Sequence, residues 1–152
     1  MLRRGGEAAM VDGRQGGGRA RPDRAQLGRA AETIVCAWLR RRGYRILGRN
    51  VRVKRLEIDI IAQAPAEPDE PALAGARVTV FCEVRARRRG EPGVLLESID
   101  PAKVARLREA AGRWLAAAPQ QRRRLGAAVR FDAAAVSFDG DRPCVTYVPD
   151  AF

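Results

Sequence analysis

A chain of 152 residues with 46% hydrophobic content is long enough for one domain around one core. Its formal charge of +11 and pI of about 11.1 favour an anionic partner, nucleic acid ahead of an acidic membrane surface. It has no histidine, which excludes imidazole bases and nucleophiles and His-ligated zinc.

Residues 1–23 are rich in glycine and arginine and lack periodic apolar content, so they read as a flexible tail, with residues 24–152 as the single domain. Met10 is an alternative start to Met1. The tail lacks the apolar stretch of a signal peptide, and no run approaches the ~20 apolar residues of a membrane span. These features predict a cytoplasmic protein without a membrane partner.

The first helix starts after Asp23, a good N-cap. Leu27, Ala31, Ile34, Val35, Trp38 and Leu39 recur at helical spacing, and Gly43 is suited to the stop. Glu32 lies at the margin of this stripe, about 140° from Leu27 at 100° per residue. A first strand opens at Tyr44–Leu47 and runs through Val51 and Val53, with Gly48, Arg49 and Asn50 marking a bend or bulge. A second covers Arg55 to Gln63. It alternates, with Glu57 and Asp59 on one face and Leu56, Ile58 and Ile60 on the other.

Residues 64–76 hold Pro65, Pro68, Pro71 and Gly75 and read as a loop. The third strand spans Arg77 to Arg87, with Glu83 and Arg85 sharing one face and Val80, Cys82 and Val84 the other. If strands two and three form an antiparallel hairpin, Asp59 comes close to Glu83 on one face. Arg87, Arg88 and Arg89 begin a basic loop. Ser98 or Asp100 caps a second helix, with Pro101 in its first turn and Pro119 at its end. Strands follow at 128–138 and 144–148, separated by the Asp139-Gly140 turn signal. The element order is α-β-β-β-α-β-β. Cys36, Cys82 and Cys144 are far apart and odd in number, which speaks against a disulfide framework or zinc ribbon.

Asp59 and Glu83 on one sheet face make a hard-oxygen pair suited to Mg²⁺ or Mn²⁺, which Glu32 can extend from the helix. A bound metal with nearby cations is what phosphodiester hydrolysis needs. The polar face of any half-solvated sheet offers the same pattern. Arginine also far outnumbers lysine, present only as Lys54 and Lys103, as a GC-rich coding sequence would produce.

Taken in order, Gly28-Arg29-Ala30-Ala31-Glu32, Gly43-Tyr44-Arg45-Ile46-Leu47, Arg49-Asn50, Glu57-Ile58-Asp59-Ile60-Ile61, Phe81-Cys82-Glu83-Val84-Arg85, Lys103 and Arg130-Phe131-Asp132 resemble the YraN family (UPF0102), endonuclease-like bacterial proteins similar to Holliday-junction resolvases. The resemblance implies an α/β (α+β) fold with a restriction-endonuclease-like PD-(D/E)XK core, a mixed sheet flanked by helices. It implies metal-dependent cleavage of structured DNA. Asp59, Glu83 and Arg85 would be catalytic, and Glu32, Asp59 and Glu83 would hold Mg²⁺ or Mn²⁺. Lys103 and Arg130 fall on family positions for phosphate contact or structural support, and with Arg49 and the basic Arg87, Arg88 and Arg89 they are the candidate nucleic-acid contacts; fold analogy adds a homodimer. The sequence departs from the family at Ala31 and Leu56, where glycine is usual, and at Arg85, where the family has lysine. Arginine stays protonated and cannot act as a base, so the alternative is a DNA-binding module with weak or no catalysis.

Overall fold

A computed structural model of the chain describes residues 22–66, 77–87, 99–117, 119–120, 125, 128–138 and 142–152. Residues 1–21 of the proposed tail and the Arg88–Arg89 segment lie outside these residues. Helix α1 spans Arg24–Arg41. Its start is a capping box: Asp23 Oδ1 accepts from the Gln26 N–H (2.7 Å), and Gln26 Oε1 accepts from the Asp23 N–H (2.9 Å). At its other end Gly43 takes φ +83°, a left-handed conformation that glycine adopts without the penalty of a Cβ.

Five strands follow: β1 (Arg45–Val53), β2 (Leu56–Gln63), β3 (Val78–Arg87), β4 (Ala128–Ser137) and β5 (Cys144–Val148). Helix α2 (Pro101–Ala117) lies between β3 and β4 in sequence. Asp100 caps it, accepting from the Ala102 N–H (2.9 Å). The strands form one sheet in the order β1-β2-β3-β4-β5. Neighbours are antiparallel except β3 and β4, whose parallel pairing needs a long crossover, supplied by the segment that contains α2. The fold is thus α+β with a mixed sheet, in the order read from the sequence. No described helix is long and apolar enough to cross a membrane.

The helices cover opposite faces. Ala31, Val35, Cys36 and Leu39 of α1 pack with Ile60, Ala62, Val80, Cys82, Val84, Ala134 and Val136. Leu107, Ala110 and Ala111 of α2 pack with Ile58, Ile61 and Phe81. Alternation holds in β3, where Val80, Cys82 and Val84 face α1 and Phe81 faces α2.

Alternation fails in β2. Leu56, Ile58 and Ile60 were expected on one face, but Ile60 belongs to the α1 cluster while Ile58 and Leu56 belong to that of α2. The break falls at Asp59. There β2 parts from β3, since their pairing runs only from Ile60↔Cys82 to Gln63↔Thr79. On the other side, β1 is distorted at Asn50, whose φ is +48°. Asn tolerates this region better than most residues, which is why the bend reads from the sequence. A second irregularity in the β1–β2 register sits between Ile46 and Gly48.

Candidate functional site

Asp59 occupies the fork where β2 leaves β3. Its side chain does not simply rise from the sheet face. Oδ2 accepts from the Val84 backbone N–H at 2.8 Å, an amide left free because the ladder has ended. This bond pins the carboxylate beside Glu83, which follows Cys82 on β3. The proximity has an electrostatic consequence. Burial, and then the charge of Glu83, push the Asp59 carboxyl up to about 7, against the Val84 amide and Lys103, which lower it. Glu32, reaching in from α1, adds to the rise.

Glu83 projects toward α2 and is almost wholly buried, its side chain 5% exposed. Lys103, in the first turn of α2, places Nζ in ion contact with Glu83 Oε1. Arg85 Nε lies 3.6 Å from the same oxygen. Neither contact is a well-directed hydrogen bond, so Glu83 Oε1 and Arg85 Nε have none among the described residues. Glu32 Oε2 is likewise buried without a hydrogen-bond partner there. The sequence assigned Lys103 a phosphate-contact or supporting role; its place on Glu83 was not read. Its signal was scarcity, one of two lysines in the chain, at the start of the helix that follows β3.

The structure therefore gathers Glu32, Asp59, Glu83, Arg85 and Lys103. The three carboxylates do not form a closed cage as they stand: among the described residues no three carboxylate or thiol groups converge to hold a metal. The donor set nevertheless suits a hard divalent cation. Asp59 and Glu83 are crowded carboxylates of like charge, and the orphaned Oε2 of Glu32 lacks a donor.

Two expected nucleic-acid contacts have partners within the chain. Arg49 donates from Nη2 to Thr33 Oγ1 (2.9 Å), tying β1 to α1 one residue from Glu32. Arg130 is committed to the interior. Its Nε and Nη2 donate to the two oxygens of Asp132 (2.8 Å each), and Nη2 also reaches Tyr44 Oη (3.0 Å). Asp132 is fully buried and also accepts from Tyr147 Oη and the Asp150 N–H (3.0 Å). Burial alone would lower the Arg130 pKa, but its bonds to Asp132 outweigh that and raise it. Burial, with Cys82 and Asp132 nearby, raises the Tyr147 phenol. This network fills the α1 side between β4 and β5 and supports the fold. Arg130 and Asp132 are two apart on a strand, so they share a face, and that spacing was the available signal. Arg87 ends β3, its carbonyl accepting from the Phe138 N–H (3.3 Å). Burial pushes the Cys36 and Cys82 thiols up, in keeping with their reading as small core residues.

Comparison with known proteins gives a consistent family. The model of the uncharacterised protein family UPF0102 matches residues 31–136. A UPF0102 protein of Anaeromyxobacter dehalogenans is 36% identical over 148 residues, 97% of this chain and 92% of that protein. One from Pelobacter propionicus is 37% identical over 135 residues, 88% of this chain and 86% of its own. Among solved structures, Pyrococcus furiosus SfsA in complex with Ca²⁺ aligns at 16% identity with a TM-score of 0.29, over 84% of this chain and 64% of that one. A likeness this slight supports no conclusion.

Proposed function

The chain belongs to the uncharacterised protein family UPF0102, and from the fork that sets Asp59 against Glu83 we propose that it hydrolyses phosphodiester bonds in structured DNA with a divalent metal. The observation that carries this reading is the pair of buried carboxylates at the parting of β2 and β3, with two cations on Glu83. The restriction-endonuclease-like reading of the fold belongs to the same proposal. It is supported by the element order and by a mixed sheet whose central strands carry the acids.

Asp59 and Glu83 would hold Mg²⁺ or Mn²⁺, with Glu32 facing it from α1. When bound, the ion supplies charge neutralisation at the phosphate and acidifies a water. The Val84 amide keeps Asp59 aimed into the fork. Arg85 and Lys103 offset negative charge as it develops on the phosphoryl oxygens. Arg85 holds its proton throughout, so its part is electrostatic.

A second reading has its own support. Lys103 already neutralises Glu83, and Arg85 stands where the family has lysine. The same site would then serve as a binding module with weak or no cleavage.

Incubating the protein with branched and linear DNA plus Mg²⁺ or Mn²⁺ tests both. Cleavage that disappears in Asp59→Ala supports the nuclease. Salt-sensitive binding without cleavage, with activity appearing in Arg85→Lys, supports the binding module. Absence of binding at low salt removes both.

A further inference from the structure

β2 has two neighbours along only half its length. From Ile60 to Gln63 it lies between β1 and β3, but its Leu56–Ile58 stretch pairs with β1 alone. Residues 51–58 thus leave the sheet as a two-stranded ribbon rooted at Asp59. One face of the ribbon is apolar: Val51, Val53, Leu56 and Ile58 join the α2 cluster. The opposite face is polar and exposed. Arg52 and Glu57 are paired across it, and Lys54 and Arg55 form its tip. Among the described residues, Arg52, Lys54 and Arg55 enter no ion pair.

A basic hairpin tip is more often a solvated face than a binding site. Its position argues otherwise here. The strand rises about 3.3–3.4 Å per residue. Arg52, level with Glu57, therefore stands about 7 Å from Asp59 along the ribbon, and the tip about 13 Å. Phosphates of one DNA strand recur about every 3.4 Å of helix axis. The ribbon cations thus lie within a few nucleotides of a phosphate held at Asp59. The Arg49–Thr33 bond fixes the base of the ribbon to α1, and its apolar face fixes the rest to α2. It is therefore a braced arm, pre-organised for contact. The exposed face carries no aromatic residue, which suits phosphate contact and not base stacking.

We propose that the outer face of the β1–β2 ribbon is the track along which the sugar–phosphate backbone leaves the Asp59–Glu83 site. Arg52, Lys54 and Arg55 make sequence-independent phosphate contacts. This rests on the nucleic-acid reading above and adds where the strand runs.

The test uses the full chain in chelator, so cleavage does not enter. Binding of fluorescein-labelled branched and linear duplexes is followed by anisotropy across a salt series. The triple variant Arg52→Ser/Lys54→Ser/Arg55→Ser is compared with Arg40→Ser/Arg41→Ser/Arg45→Ser, which removes equal charge from the last turn of α1 and the start of β1, at the other end of β1 from the ribbon tip. Each phosphate contact contributes about 0.9 to the slope of log K against log salt. The ribbon variant is expected to lower the slope by about 2–3 and to bind at least ~10-fold more weakly at low salt. The control should lose far less, and Arg52→Lys/Arg55→Lys should keep the slope. Equal losses in both triples, or an unchanged slope in the ribbon variant, overturn the ribbon assignment and leave the nucleic-acid reading standing. A wild-type chain that does not bind at low salt overturns both. Circular dichroism of each variant confirms the fold, which substitutions at exposed positions should preserve.

Discussion

Replacing Lys103 by alanine strips Glu83 of the cation that touches it. The Glu83 side chain is 5% exposed, and its other cation, Arg85 Nε, is 3.6 Å from the same oxygen. Removing one partner of a buried ion pair typically costs about 3–5 kcal/mol, because the survivor stays desolvated. Two features lower the figure here. Lys103 is 33% exposed, so water already screens the contact, and Arg85 remains. A loss of about 2 kcal/mol is expected, which for a chain of this size lowers Tm by roughly 4–8 °C. Thermal and urea unfolding near neutral pH measure it. The double variant Lys103→Ala/Glu83→Gln should regain most of the loss, since the buried charge is gone. If the fork takes a divalent ion, Mn²⁺ should raise the Tm of Lys103→Ala more than that of the wild type, by an increment growing as RT ln(1 + [Mn²⁺]/Kd). A single variant as stable as the wild type, or a double variant no better than the single, would refute the pairing as the reason for Lys103.

Asp59 supplies a pH signature. Its carboxyl is pushed up to about 7 from an ordinary 3.8, so across that window the folded chain holds a proton that the unfolded chain has released. Stability of the metal-free protein should therefore fall as pH rises from about 4 through about 7. Asp59→Asn, which still offers an oxygen to the Val84 amide, should flatten that fall in chemical denaturation at several pH values. In the α1-side network, Arg130→Met leaves the fully buried Asp132 without its bidentate partner and should destabilise by about 3–5 kcal/mol, whereas Arg130→Met/Asp132→Leu should recover part of it. A Cβ at Gly48 would meet Val51 Cγ2 at 2.6 Å, so Gly48→Ala should cost about 1–3 kcal/mol by overpacking, read as a lower denaturation midpoint.

The elements and their order were legible because each is specified locally. Asp23 and Gln26 form the cap that starts α1, and Gly43 takes the positive φ that ends it. The apolar positions of β3 alternate as a strand packed on both faces requires. Asp59 and Glu83 were found from the pattern of two acid-bearing strands.

What the sequence alone determined was which segments become helix and strand and which two strands carry acids, because caps, periodicity and turn residues act over a few positions. The tertiary structure decided how those acids are used. Strict alternation placed Asp59 on a plain sheet face, yet β2 parts from β3 there and the carboxylate turns to the Val84 amide. The sequence named a cation two residues after Glu83, and Arg85 does lie 3.6 Å from it, but the nearer one is Lys103, twenty positions on, brought there by the crossover between two parallel strands. Arg130, expected as a phosphate contact or a support, is turned to Asp132 and Tyr44, with Tyr147 on the same carboxylate. A carboxylate's environment depends on which distant groups share its low-dielectric surroundings, and only the folded chain assembles them.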